Sequence, residues 1–297
     1  MLATFNAEVT RVYKRLGRSA SSHAPVLLRG EKGSGKTVVA QALHHARPTP
    51  SRMLLVVNCA STTETQLAQA FAQTLLEAKR NSHTNGKHGT RQTPQPHVTI
   101  LLKNVARLEL AAQLWLFQLL QQKAARMAAS ETAEMRLIAT TEQALAPLVE
   151  QQSFRQDLYY RLSTYEFELP PLRERVEDFF NFVVHFNAEI ARQNHGENLP
   201  LSAQALAELQ SHPWPGNIRE LQETLARAHE VHRGRANGIE YIEFMTASSK
   251  TELEDSLKEG SNGAARNNFS QRAFEKSPLE GGSGVFFDSA PTAKSVL

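Results

Sequence analysis

A glycine-rich loop near the start of the chain limits the possible folds more than any other feature. It has the spacing of a P-loop and consists of Gly30, Glu31, Lys32, Gly33, Ser34, Gly35, Lys36 and Thr37. The short apolar run 25–28 precedes the loop, and a helical pattern begins at Lys36. Because the motif requires a strand before it and a helix after it, the sequence predicts an α/β unit around the loop.

The residues of this loop suit the binding of phosphate groups. Glycines allow the backbone to wrap around a phosphate, and the backbone N–H groups and the N-terminus of the next helix attract the anion. In such loops the lysine, here Lys36, reaches the terminal phosphates, and the hydroxyl of Thr37 can hold Mg²⁺. The alternative is a glycine-rich turn with an incidental lysine. The surrounding strand and helix favour nucleotide binding.

Alternating apolar and amphipathic segments predict a parallel sheet with helices on both faces. The predicted strands are 25–28, 53–57, 98–102 and 135–139. The predicted helices, besides the one after the loop, are 5–16, 65–78 and 111–125. Beyond Pro170 the strand signals stop, and helical stretches follow at 176–193, 202–210 and 218–233. These stretches predict a small all-helical second domain.

Composition narrows the class of protein further. The chain has 297 residues, of which 41% are hydrophobic, enough for a sizeable core in one or two domains. Its net charge of +3 is too small to indicate nucleic-acid binding by itself. The single cysteine, Cys59, excludes an internal disulfide, and no apolar stretch has the length of a signal sequence or a membrane span. We therefore expect a cytoplasmic protein without membrane contact.

Two segments lack the order of the rest. Residues 79–97 are polar and contain many Asn, His, Thr and Gly residues, so we expect a flexible excursion there. Residues 248–297 are rich in Gly, Ser and Asn without a helical period, so we expect a disordered tail. Within this tail, Phe286 and Phe287 are either a short docking motif or an incidental apolar pair.

Longer motifs resemble the AAA+ domain of bacterial sigma-54-dependent transcription activators. Besides the P-loop, the matching segments are VLLRGE at 26–31, VNCA at 57–60, FRQDLYYRL at 154–162, LPPLRER at 169–175 and WPGNIREL at 214–221. They occur in that family's order, and the resemblance covers residues 1–233. It implies a ring-forming P-loop AAA+ domain with a helical lid. We place the α/β nucleotide-binding domain at 1–168 and the lid at 169–247.

The resemblance also assigns roles to three arginines. Arg155 and Arg161 match the arginines that reach the γ-phosphate of a neighbouring subunit, and Arg219 matches the lid arginine, sensor II. A guanidinium suits these roles because it stays charged and presents a rigid fork of donors to phosphate oxygens. For Arg155 and Arg161 the alternative is a surface ion pair with Asp157 or nearby acids.

The chain departs from the family at the end of the strand 98–102. The family has Asp-Glu there, to organise Mg²⁺ and to polarise the attacking water, whereas this chain has Lys103 and Asn104. A lysine repels Mg²⁺ and an amide has almost no basicity, so the pattern indicates a pseudo-ATPase that still binds ATP. The nearest carboxylate downstream is Glu109, which is either a solvated acid at a helix start or a displaced base.

Further departures concern the partners and the γ-phosphate. The family's GAFTGA loop, which engages the sigma factor, has no counterpart after Cys59, so we expect no contact with sigma-54. Glu142 replaces the sensor I asparagine, and its charge would repel a γ-phosphate unless Lys103 neutralises it. The tail offers no helix-turn-helix, so we expect no direct DNA binding.

These observations leave three functions open. The leading one is an ATP-binding, non-hydrolysing regulatory subunit that acts in transcription regulation by assembling with related AAA+ subunits, as a homo- or hetero-oligomer. The second is a working ATPase that uses Glu109 or Glu142, and the third is an interaction protein with a vestigial nucleotide site. Mg²⁺ becomes dispensable if Lys103 lies near the β- and γ-phosphates; otherwise Lys103 points to solvent or pairs with Glu142.

Overall fold

The computed structural model describes residues 7–19, 22, 24–46, 52–84, 97–127, 134–193, 199–233, 238–244 and 286–288. The chain divides into two compact units, one of Met1–Arg175 with Ser283–Leu297 and one of Val176–Gly282. None of the helices within these described ranges is both long and apolar enough to cross a bilayer.

The first unit contains a parallel sheet. Its parallel strands are β1 (Val26–Arg29), β2 (Arg52–Asn58), β3 (His97–Lys103), β4 (Glu134–Thr141) and β5 (Tyr165–Glu168). They lie in the order β5-β1-β4-β3-β2, so the predicted parallel sheet is confirmed. The helices of the unit are α1 (Ala7–Ser19), α2 (Lys36–His45), α3 (Glu64–Thr84), α4 (Leu110–Met127), α5 (Ala146–Glu150) and α6 (Gln156–Leu162).

The central strands are mostly apolar because helices cover both faces of the sheet, although His97, Thr99 and Arg136 are also buried. Alternate side chains enter opposite cores, as the period of a strand requires. Leu27 and Ile100 pack in one core with residues of α3 and α4, whereas Leu28 and Leu101 pack in the other with residues of α1 and α2. This burial on both sides fixes the carboxyl ends of β1, β3 and β4, where the candidate site residues lie.

The predicted excursion 79–97 needs correction at both of its ends. Helix α3 runs to Thr84, so the segment 79–84 of the expected excursion 79–97 is helical. Lys79 and Arg80 are good helix formers, so the helix continues into a segment that lacks an apolar period. Strand β3 already begins at His97, and residues 85–96 lie outside the described residues.

The sequence patterns also missed one strand. Strand β5 has four residues, of which Phe167 alone is buried, so neither its length nor its apolar content predicts a strand. Its pairing with β1 comes from the tertiary fold.

Part of the predicted tail forms a sixth strand. Strand β6 (Phe286–Asp288) pairs antiparallel with β2, with Phe286 opposite Val56 and Phe287 opposite Leu55. The edge of β2 offers backbone N–H and C=O groups that such a segment can satisfy. These three residues are therefore strand rather than structureless tail, and the other residues of 248–297 lie outside the described ranges.

The second unit is built from α7 (Val176–Gln193), α8 (Ala203–Ser211) and α9 (Asn217–Val231). They confirm the three predicted helical stretches and the helical second domain. Ser202 caps α8, because its Oγ accepts the N–H of Ala205 at 3.0 Å. Between α7 and α9, His229 Nε2 lies 2.7 Å from Asn187 Oδ1 in a buried contact.

Candidate nucleotide-binding site

The P-loop connects β1 to α2 at the carboxyl edge of the sheet. Strand β1 lies between β4 and β5, and Gly30 N donates to Thr141 O at 3.2 Å at the end of β4. A Cβ at Gly30 would lie 2.8 Å from Leu169 O, so this position requires glycine. Gly35 precedes α2 with a φ of 96°, a left-handed conformation that glycine adopts without steric cost. The loop thus has the backbone that its sequence predicts.

Lys36 lies in the centre of this loop. Its Nζ donates to Gly30 O and to Glu31 O, each at 2.7 Å, and the residue is 8% exposed. Burial lowers the pKa of Lys36, while the negative charges of Glu142 and then Glu31 oppose that shift. An ammonium has three donors, so two carbonyl contacts leave one N–H for an anion.

Ser34 offers a second polar group to a ligand in the loop. Its Oγ is buried and has no hydrogen-bond partner among the described residues. A buried hydroxyl is normally satisfied, so a ligand oxygen at the loop would remove this deficit. Thr37 follows Lys36 in the first turn of α2 and is half-buried. In such loops its hydroxyl is the group that would hold a metal ion. These residues fit a bound nucleotide phosphate.

A cavity of about 730 Å³ opens beside the loop, in the range of small-molecule sites. Three arginines and four glutamates line it: Arg11, Arg29, Arg173, Glu31, Glu142, Glu168 and Glu174. Arg29 pairs with Glu168, and Arg173 pairs with Glu31 through contacts of 2.6 and 2.9 Å. Two of these arginines are thus already engaged with acids.

The pair between Glu31 and Arg173 was not predicted from the sequence. Both residues belong to motifs that resemble the family, yet they are separated by 142 positions. The pair ties the second residue of the P-loop to the segment that follows β5. The hydrogen bonds with Glu31 raise the pKa of Arg173 above its ordinary value.

Lys103 and Asn104 lie at the end of β3, on the same edge of the sheet as the P-loop. Asn104 has a left-handed backbone with φ 57° and ψ 47°, which asparagine tolerates. Its Nδ2 donates to Asn58 Oδ1 at 3.3 Å, and its N–H donates to Thr140 Oγ1 at 3.4 Å. Asn104 therefore links the ends of β2, β3 and β4 by neutral hydrogen bonds. Asn58 belongs to the VNCA segment, but the sequence did not predict its hydrogen bond with Asn104.

Lys103 forms no ion pair with Glu142 in the described part of the chain. The pairing of Lys103 with Glu142, one of the alternatives from the sequence, is therefore absent from these residues. Glu142 is exposed, directly after Thr141, and lines the cavity.

Glu109 is exposed immediately before α4, and its carbonyl accepts the N–H of Gln113 at 2.9 Å. This is the position of an acid at a helix start, where the helix dipole favours a negative charge. This position agrees with the interpretation of Glu109 as a solvated acid at a helix start.

The three arginines assigned by resemblance all have acceptors within this chain. Arg155 donates to both carboxylate oxygens of Asp157, at 3.1 and 2.7 Å, and these hydrogen bonds lower the pKa of Asp157. Arg161 Nη2 donates to Leu120 O at 3.3 Å. Arg219 lies on α9 of the second unit, where its Nε donates to Glu223 at 3.0 Å. The ion pair with Asp157, considered as the alternative role of Arg155, is thus formed in the single chain.

Two known protein families match successive parts of this chain. The Sigma-54 interaction domain family matches residues 2–168, and the AAA+ ATPase lid domain family matches residues 173–258. The DNA-binding transcriptional activator HyfR of Escherichia coli K12 is 35% identical over 227 residues, 73% of this chain and 32% of that protein. The nitrogen fixation protein AnfA of Azotobacter vinelandii is 36% identical over 228 residues, 73% of this chain and 41% of AnfA.

Solved structures share the fold. NtrX from Brucella abortus in complex with ATP has a TM-score of 0.63 and 21% identity, over 88% of this chain and 64% of that one. The same protein in complex with ADP has a TM-score of 0.62 and 23% identity, over 92% of this chain and 59% of that one. This chain spans less than half the length of the two curated relatives above. It belongs to the AAA+ family of sigma-54-dependent transcription activators.

Proposed function

We propose that this chain is a regulatory AAA+ subunit that binds ATP, hydrolyses it at a negligible rate and assembles with related AAA+ subunits in transcription regulation. The observation that carries this proposal is that the chain has a complete P-loop together with Lys103 and Asn104 at the end of β3. We assign the nucleotide site to the α/β domain 1–168 and the lid to 169–247.

ATP binding is supported by the geometry of the loop. Lys36 and Ser34 place an ammonium and an unsatisfied hydroxyl at a helix N-terminus, which attracts anions through its free N–H groups. The cavity beside the loop has room for the rest of a nucleotide. The NtrX structures with ATP and with ADP, which share the fold, are consistent with this assignment.

The loss of hydrolysis is supported by the chemistry at the end of β3. An amide does not accept a proton from water, and the amide nitrogen of Asn104 is already engaged with Asn58. A lysine supplies no oxygen ligand to Mg²⁺. The chain's own residues can therefore bind and orient the phosphates, but they place no base at the β3 position for the attacking water.

Assembly is supported by Arg155 and Arg161, which lie at the start and near the end of α6. A subunit without its own catalytic acids can still present a guanidinium to a nucleotide in a neighbour. The pair between Arg155 and Asp157 is partly exposed, so its dissociation costs little, typically about 0–1 kcal/mol.

A melting experiment tests ATP binding. We expect millimolar ATP to raise the melting temperature of the wild-type protein, since a ligand at 100 times its Kd adds about 2.7 kcal/mol to the stability of the folded state. Lys36→Ala removes the ammonium and should abolish the rise. Lys14→Ala, which changes an exposed lysine on α1, is the matched control and should keep it. If ATP leaves the wild-type midpoint unmoved, the protein is an interaction module with a vestigial site.

Phosphate release from the same samples tests the absence of hydrolysis. We expect a rate indistinguishable from background at high protein concentration, where assembly is favoured. A clear turnover that disappears in Glu109→Gln or in Glu142→Gln would instead establish a working ATPase with rearranged acids.

A further inference from the structure

We propose that this site binds a nucleoside diphosphate more tightly than the corresponding triphosphate, with Glu142 as the residue that sets the preference. The inference rests on the proposed nucleotide-binding function and adds to it the class of nucleotide. It depends on where Glu142 lies, on what offsets its charge and on which end of the site that charge acts.

The backbone brings Glu142 to the P-loop. Thr141, the last residue of β4, accepts the N–H of Gly30, the first residue of the loop, at 3.2 Å. Glu142 is the next residue, and it lines the same cavity as Gly30 and Glu31. The position of Glu142 is therefore fixed by the register of β1 and β4, in which Leu28 pairs with Thr140 and Arg29 with Thr141.

The charge of Glu142 acts on the end of the site that receives terminal phosphates. In a P-loop the lysine marks that end, because its ammonium contacts the β- and γ-phosphates. Among the charged groups that act on Lys36, Glu142 has the largest effect, ahead of Glu31. The same ammonium is thus within electrostatic reach of Glu142.

The charge of Glu142 is only partly offset in the described chain, since its attraction to Lys36 is not accompanied by a salt bridge. It makes no salt bridge there, and neither Lys103 nor Asn104 can hold a metal ion as an acid would. Two arginines of the cavity are paired with other acids, Arg29 with Glu168 and Arg173 with Glu31. Like charges that share a partly enclosed site repel each other more strongly than they do in water.

A third phosphate brings additional negative charge to the end of the site on which the charge of Glu142 acts. A diphosphate keeps its contacts with the loop N–H groups and with Lys36 but does not extend as far. The penalty from Glu142 therefore falls mainly on the triphosphate, so the protein is held in a diphosphate-bound state at equal nucleotide concentrations.

Titration calorimetry with the purified chain tests the preference. ADP, ATP and a non-hydrolysable imidotriphosphate analogue are titrated with Mg²⁺ and again with excess chelator, so that neither hydrolysis nor the metal confuses the comparison. We expect ADP to bind at least tenfold more tightly than either triphosphate in chelator. Glu142→Gln, which removes the charge and keeps the size, should tighten triphosphate binding at least fivefold and change ADP binding by less than twofold.

Glu150→Gln is the matched control, since Glu150 is exposed at the end of α5 and does not line the cavity. It should keep the wild-type ratio of affinities. Equal affinities for ADP and both triphosphates in the wild type, or a ratio that Glu142→Gln leaves unchanged, would overturn the preference while nucleotide binding stands. If none of the three nucleotides binds, the proposed function itself fails. Melting of each variant without nucleotide shows whether it is folded.

Discussion

At the scale of single residues, the substitutions at the end of β3 have a structural as well as a chemical consequence. Asn104 occupies a left-handed backbone position and hydrogen-bonds to Asn58 and Thr140. An asparagine suits this position because its short polar side chain tolerates a positive φ better than most residues do. Asn104 therefore stabilises the junction of three strands through these hydrogen bonds.

Restoring the acids tests whether this junction alone prevents hydrolysis. We expect the double variant Lys103→Asp with Asn104→Glu to stay near background, because the charge of Glu142 still acts on the terminal phosphates. Adding Glu142→Asn should raise phosphate release clearly above the wild-type rate. A glutamate at the left-handed position 104 costs about 1–2 kcal/mol, so the melting temperature of each variant is measured alongside. A triple variant that is folded, binds ATP and remains inactive would show that other residues also prevent turnover.

The metal dependence of ATP binding is a second prediction about individual residues. The absence of an acid at 103 and 104 leaves Mg²⁺ without its usual protein carboxylate, so excess chelator should weaken ATP binding by less than tenfold, or about 1.4 kcal/mol. If the ammonium of Lys103 substitutes for the metal, Lys103→Met should weaken ATP binding in chelator. The control variant Lys14→Met should leave that binding unchanged. If chelation weakens wild-type binding tenfold or more, the metal still carries the affinity and Lys103 does not replace it.

At the scale of secondary-structure elements, a buried polar contact links α7 and α9. The contact between α7 and α9 depends on His229, which is 3% exposed and lies against Asn187. Burial lowers the pKa of His229 below its ordinary value of 6.5, because the charged imidazolium is poorly solvated there. The neutral form is therefore the one that stabilises the packed helices.

The stability of the second unit should fall in mild acid. With a folded pKa below the unfolded value of 6.5, the contribution of His229 is complete above pH 6.5 and is lost as the pH falls through the folded pKa. Urea unfolding at pH 7.5 and 5.5 measures this in a Trp115→Phe background, where Trp214 of the second unit is the remaining tryptophan. His229→Gln should flatten the pH dependence.

His185→Gln is the control for this measurement, because His185 is partly exposed on α7 and pairs with Glu189 at 3.1 Å. It should leave the acid-induced loss in place. Equal stability of the wild type at both pH values would contradict the role assigned to His229.

At the scale of the whole molecule, the proposed function depends on a second subunit. Arg155 and Arg161 have acceptors within the chain, namely Asp157 and the carbonyl of Leu120, but both contacts are at least partly exposed. Rearrangement of these side chains toward a neighbour's nucleotide is therefore inexpensive compared with the gain from a guanidinium–phosphate contact.

A complementation experiment tests donation in trans. An AAA+ subunit of the same family with intact acids, but with its own two finger arginines replaced by alanine, has no turnover of its own. Mixing it with this chain should restore phosphate release, since arginine fingers accelerate phosphoryl transfer by factors of about 10³–10⁵. Arg155→Ala and Arg161→Ala should each remove most of that gain. Arg107→Ala, at an exposed arginine in the turn after β3, should keep it.

Restoration that is equally strong with all three alanine variants would show that neither Arg155 nor Arg161 acts as the finger. Co-sedimentation of the two subunits in the same buffer shows whether they assemble. If they form a complex without turnover, the arginines do not reach the neighbour's site.

The sequence by itself determined the α/β class, the spacing of the P-loop, the helical second domain and the presence of Lys103 and Asn104 at the end of β3. These follow from local patterns, because the period of buried residues and the spacing of glycines are properties of short segments. The tertiary structure decided the rest. It joined β5 to the sheet, placed β6 against β2, paired Glu31 with Arg173 and Asn58 with Asn104, and brought Glu142 next to Gly30. The members of each pair are far apart along the chain, so local patterns do not reveal them and only the folding of the sheet brings them together.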